Sequence, residues 1–119
     1  MHDISKSEIG KWGEDVAMQW LREHGYFIVE RNWRIGRYEI DIIAQHYDTL
    51  HIVEVKTRKA GSWQTPYDSI DQGKIRSLRR AGLSFRTICR SPLKLQFDLI
   101  AITVDDKGGY TIDHVENIM

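Results

Sequence analysis

Four ionisable residues interrupt what would otherwise be a run of β-branched apolar side chains. Glu39, Asp41, Glu54 and Lys56 lie in Y-E-I-D-I-I-A-Q-H-Y-D-T-L-H-I-V-E-V-K-T-R, which ends at Arg58. Ile40, Ile42, Ile43, Ile52, Val53 and Val55 between them predict two strands, Glu39–Gln45 and Leu50–Thr57, joined by a turn at His46–Thr49. Strand side chains repeat every two residues, so Glu39 and Asp41 share one face, as do Glu54 and Lys56. A hairpin this short brings Asp41 beside Glu54. Burying two carboxylates and an ammonium is costly unless they pair or bind a metal. Two hard oxygen ligands suit a divalent cation such as Mg2+, with room left for water and a phosphate oxygen. Such an ion polarises the phosphate and acidifies water, while a lysine beside it orients that water or offsets developing charge. E-x-D and E-x-K pairs also occur on solvated strand faces, so the rest of the chain has to decide.

The elements that must position these residues follow from pattern and punctuation. Ser5-Lys6-Ser7-Glu8 is a capping box that opens a helix ending at Gly25. Ile9, Trp12, Gly13, Val16 and Trp20 form its apolar stripe, flanked by Ala17 and Leu21, with Glu14 at the border. Tyr26–Trp33 reads as the first strand, with Arg34–Arg37 the turn into the second. An irregular loop, Arg58–Pro66, contains Trp63, which either stacks on a base, meets a partner subunit or packs under its own loop. A second helix is expected from about Ser69 to Arg90. Ile75, Leu78, Leu83, Ile88 and Cys89 are its apolar positions, and Cys89 is expected to fill core space. Leu95–Val104 is almost continuously apolar, hence central, and Tyr110–Val115 is an edge strand after the turn at Asp105–Gly109. The order α-β-β-β-α-β-β predicts an α/β fold with a mixed sheet between helices.

The chain has 119 residues, and its 41% hydrophobic and 29% charged content is that of one globular domain, 1–119, rather than a disordered chain. No apolar run reaches membrane-spanning length, and the N-terminus lacks a secretion-signal pattern. With one cysteine there is no internal disulfide, which fits a cytoplasmic location. A net charge of zero conceals an asymmetry: residues 1–55 sum to −4, residues 56–94 to +8 and residues 95–119 to −4. An acidic pocket beside a basic belt is what a metal-dependent enzyme acting on a polyanion needs.

Asp41 followed after twelve residues by Glu54-Val55-Lys56 resembles the PD-(D/E)xK nuclease signature of the restriction-endonuclease-like fold, with Ile40 in place of the proline. G-K-W-G-E-D-V-A at 10–17, E-R-N-W-R at 30–34, E-I-D-I-I-A at 39–44, V-E-V-K-T-R at 53–58, D-Q-G-K at 71–74 and F-D-L-I-A at 97–101 resemble the YraN family. That family is related in fold to Holliday-junction resolvases. The resemblance implies metal binding by Asp41 and Glu54, a catalytic role for Lys56, and a supporting carboxylate at Glu14. Glu39 is a further candidate ligand. Gln72 and Lys74 fall where resolvase-like enzymes carry polar residues near the site. Tyr38 replaces a common glycine and is expected to narrow access to the cleft. The implied activity is Mg2+- or Mn2+-dependent hydrolysis of branched or damaged DNA, with a homodimer as a candidate assembly. Lys74, Arg76, Arg79, Arg80, Arg58 and Gln72 would contact the nucleic acid. The alternatives are a nucleic-acid-binding accessory protein without cleavage, and an interaction module whose charges form a structural network.

Overall fold

The computed structural model describes residues 5–62, 65, 68 and 70–119, so Trp63, Pro66 and Ser69 lie outside the described residues. The element order is the expected one: α1 (Lys6–Glu23), β1 (Phe27–Ile35), β2 (Tyr38–His46), β3 (Thr49–Lys59), α2 (Gln72–Ile88), β4 (Lys94–Val104) and β5 (Tyr110–Val115). The strands form one sheet in the order β1-β2-β3-β4-β5. β3 and β4 are parallel, and the other neighbours are antiparallel. A parallel pair needs a crossover, and α2 supplies it. The apolar β4 is accordingly internal, with β5 at the edge.

Alternation along the strands splits the interior into two cores, one under each helix. Ile43, Ile52, Leu99 and Ala101 pack with Ile75, Leu78, Ala81 and Phe85 of α2. Ile42, Val53, Ile100 and Ile102 pack with Ala17 and Leu21 of α1. Both helices approach closely because a glycine faces the sheet. A Cβ on Gly13 would collide with Thr57 Oγ1, and one on Gly82 would lie 2.8 Å from Phe97 Cε1.

Two expectations about the helices change. Ser5 does cap α1, its side chain accepting from Glu8 N–H at 3.2 Å. The buried line is Gly13, Ala17 and Leu21, however, with Ile9 39% and Trp12 37% exposed. Small residues face the sheet, and the bulkier ones straddle the contact. In α2, Cys89 is exposed at the C-cap and fills no core space, because Phe85 is the last buried residue of the helix.

Candidate active site

The ladder between β2 and β3 runs from His46 opposite Thr49 up to Ile42 opposite Val53 and stops there. Asp41 and Glu54 are the next residues on each strand. Asp41 Oδ2 accepts a hydrogen bond from Val55 N–H at 2.9 Å, supplying the acceptor that a further rung of ladder would have provided. The alternation of side chains also breaks here. Ile40 belongs to the core under α2 and Ile42 to the core under α1. On β1, Arg31 reaches Glu14 and Asp15 of α1, whereas Trp33 packs edge-on against Phe85 of α2. Asn32 between them has φ 53°, a left-handed conformation that asparagine tolerates better than most residues. The period-two alternation therefore slips between Ile40 and Ile42, while Glu39 stays near enough to Asp41 for its charge to raise the Asp41 carboxyl.

The splayed strands and α1 enclose a cleft of about 430 Å³ whose lining includes Gly10, Glu14, Asp41, Glu54, Lys56 and Thr57. Glu54 is 3% exposed, and its Oε2 has no hydrogen-bond partner. Lys74 Nζ lies 3.6 Å from that oxygen, beyond hydrogen-bonding reach, and Lys56 Nζ lies 3.9 Å from Oε1. Burial, reinforced by the charge of Asp41, pushes the Glu54 carboxyl up to about 7 against the pull of Lys74 and Lys56. Burial likewise raises Asp41 to about 6; the Val55 hydrogen bond opposes it and the charge of Glu14 adds to it. Glu14 is held from outside by Arg31 Nε at 3.3 Å.

Other expected residues lie further out. Glu39 is paired with Arg34 at 3.0 Å, and its charge still adds to the rise of the Asp41 carboxyl. Lys74, expected near the site and in contact with nucleic acid, reaches the carboxylate cluster, its Nζ 3.6 Å from Glu54 Oε2. Arg76 and Arg80 line a neighbouring recess together with Tyr38, so the Tyr38 ring borders that recess. Arg79 belongs to a separate groove with Arg86, Gln96 and Phe97. Arg58 donates to Ser62 O at 2.8 Å, and Gln72 is exposed at the start of α2.

The largest polar feature that sequence reasoning missed is the buried Asp98 on β4. Its Oδ2 accepts from His51 at 2.7 Å and His114 at 2.8 Å, and its Oδ1 accepts from Gln96 at 3.0 Å and Asn117 N–H at 3.2 Å. Burial opposes its ionisation, but the bonds from His114, His51 and Gln96 outweigh this and hold the carboxyl well below the usual range. His51, Asp98 and Glu116 bring possible metal-ligating atoms within 4.8 Å of one another. Hydrogen bonds already occupy the carboxylate oxygens of Asp98, and Gln96 Nε2 bridges to Glu116 at 3.0 Å. The signal was visible: a single acid in the apolar run L-Q-F-D-L-I-A.

Among the described residues no helix is long and apolar enough to cross a membrane. The model of a family described as Uncharacterised protein family UPF0102 matches residues 13–102. The chain is 38% identical to a UPF0102 protein of Bacteroides thetaiotaomicron over 92% of its own length and 90% of that protein. It is 38% identical to one of Flavobacterium psychrophilum, covering 93% and 92% of the two chains. Identity to one of Kineococcus radiotolerans is 33%, over 99% and 98%.

Proposed function

Because the chain belongs to the uncharacterised protein family UPF0102, the YraN family, we propose its function from its own residues: a Mg2+- or Mn2+-dependent nuclease that hydrolyses phosphodiester bonds of branched or damaged DNA. The observation that carries this reading is Glu54 Oε2, a buried carboxylate oxygen without a hydrogen bond, beside the half-buried carboxylate of Asp41 in an open cleft. A structural charge network would hydrogen-bond that oxygen, whereas here the Lys74 ammonium stops 3.6 Å from it, which leaves a lone pair for a cation. The donor set fits a hard divalent ion, which commonly takes one or two protein carboxylates and fills its remaining positions with water and phosphate oxygens. Asp41, Glu54 and Glu14 would hold it.

Bound there, Mg2+ or Mn2+ would supply charge to polarise the phosphate and to acidify water. The protein's own groups do the rest. Val55 N–H fixes the orientation of Asp41 by holding Oδ2 and leaves Oδ1 for the cleft. Lys56 faces the cleft from the same strand as Glu54, placed to orient the attacking water or to offset charge on the phosphate. Lys74 stabilises the ionised form of Glu54 and adds a second cation at the mouth. Arg76, Arg79 and Arg80 offer phosphate contacts that do not read sequence.

The test is a panel of linear, nicked, flapped and four-way DNA incubated with Mg2+ and with Mn2+, using Glu54→Gln as the inactive control. Cleavage that needs the metal and is lost in the variant supports the reading. Binding without cleavage on every substrate would instead make the protein a nucleic-acid-binding accessory.

A further inference from the structure

Next to the carboxylate cleft, a recess of about 290 Å³ is lined by Arg37, Tyr38, Gly73, Arg76, Ser77 and Arg80. Its three guanidiniums come from two elements: Arg37 from the turn between β1 and β2, and Arg76 and Arg80 from successive turns of α2. Arg80 Nη1 donates to Tyr38 Oη at 3.2 Å, and Arg37 Cζ lies 5.6 Å from the Tyr38 ring centroid. Tyr38 thus gathers two of the charges around one hydroxyl, and the hydrogen bond from Arg80, then that from Arg37, lowers its pKa.

What the guanidiniums of the recess lack, among the described residues, is a carboxylate at ion-pair distance. Arg31 has Glu14 and Asp15, and Arg34 has Glu39. Among the described residues no such ion pair holds Arg37, Arg76 or Arg80. Asp71, the acid nearest to Arg76 in sequence, caps the helix by accepting from Lys74 N–H at 2.7 Å, and its single charge beside Gly73 leaves the three guanidiniums in excess. Gly73 is the second residue of α2, where the backbone N–H has no intrahelical acceptor and the helix dipole favours an anion. Ser77 adds a hydroxyl donor.

The number of donors discriminates between kinds of phosphate. A backbone diester carries one charge and two free oxygens, which a single guanidinium fork can serve. A phosphate monoester carries about −1.5 to −2 charges at neutral pH and three acceptor oxygens. Three guanidiniums lining one recess without an ion-pair partner match the monoester. Resting on the nucleic-acid reading above, we propose that this recess binds the terminal phosphate monoester of a DNA strand, so that the protein grips broken or flapped DNA by its end.

The experiment measures equilibrium binding in chelator, so that it does not depend on cleavage. Oligonucleotides of one sequence carry a 5′-phosphate, a 3′-phosphate or hydroxyls at both ends, and inorganic phosphate serves as competitor. One phosphorylated end should bind about tenfold or more tighter than the hydroxyl form, an advantage of about 1.4 kcal/mol. The Arg76→Gln/Arg80→Gln double variant, changed only at exposed positions and checked by its melting curve, should lose that preference. Arg79→Gln should weaken all three oligonucleotides alike. Equal binding of phosphorylated and hydroxyl ends, or a preference that survives in the double variant, overturns the proposal. If inorganic phosphate binds but no oligonucleotide does, the strand end is wrong. If end preference holds while no substrate is ever cleaved, the nuclease reading fails and this one stands.

Discussion

At the scale of single residues, the site is a set of charges whose costs are not fully offset by the protein itself. Half-buried Asp41 and buried Glu54 lie side by side, with two lysines at ion-pair distance from Glu54. Raised carboxyl pKa values mean that the folded chain holds protons the unfolded chain has released. The stability they contribute is present below about pH 4 and is lost as pH rises toward about 7. Asp41→Asn keeps an oxygen for Val55 N–H and removes one charge. In chelator at pH 8 it should be more stable than the parent by about 0.5–2 kcal/mol, with the gap closing toward pH 5. Mn2+ should raise the parent's melting temperature, more at pH 8 than at pH 6 because protons compete for the same oxygens, and should raise the variant's little. Melting curves of both proteins across this range check all three outcomes, and a variant that melts lower in chelator would make the pair structural. Lys56→Ala should leave the Mn2+ shift intact while lowering hydrolysis by about 10²-fold or more, since the lysine acts on the reacting groups and is not a ligand. Unchanged cleavage rates would remove it from the mechanism.

At the scale of elements, two contacts set the geometry. α1 lies against β3 through Gly13, and Thr57 on the far side of that contact is one residue from Lys56. Gly13→Ala should destabilise the protein by about 1–3 kcal/mol by overpacking, and it should reduce activity by pushing β3. Gly10, with nothing within 4 Å of its Cβ position, gives the contrast: Gly10→Ala should be neutral or stabilise by up to about 1 kcal/mol. Denaturant titrations of both variants measure the difference. On β4, Asp98 ties β3, β5 and the C-terminal segment together through His51, His114 and Asn117. Asp98→Asn turns an amide N–H₂ toward groups that already donate, and should cost about 2–3 kcal/mol by the same measurement. Because the Asp98 carboxyl is held low, its contribution is present at neutral pH and fades only in strong acid.

At the scale of the molecule, the basic middle of the chain is divided by the fold. The positive charge of residues 56–94 is not one belt: Lys74 serves the cleft, Arg76 and Arg80 the recess, and Arg79 and Arg86 a groove beside β4. Duplex binding should still weaken steeply with salt, because each neutralised phosphate releases counterions. Arg79→Ala and Arg80→Ala should each lower affinity for unrelated sequences and reduce the log–log salt slope by about one. Filter-binding or anisotropy titrations over a range of salt decide this, and a double variant that binds like the parent would show those arginines to be a solvated face.

What the sequence determined by itself was local: hydrophobic period, caps and turn residues placed every strand and both helices to within a few residues. Asp41, Glu54 and Lys56 were legible for the same reason, since charges inside β-branched runs conflict with their neighbours and the spacing of a hairpin brings them together. The tertiary structure alone decided what depends on distant segments meeting. Asn32 marks a break in the alternation, with Ile40 under α2 and Ile42 under α1, through a backbone angle that no side-chain pattern announces. Lys74 reaches Glu54 only because the crossover lays α2 over the sheet. The hydrogen bonds that satisfy Asp98 come from residues 2 to 47 positions away. Long-range pairings of that kind leave no periodic trace, because they depend on which strands become neighbours.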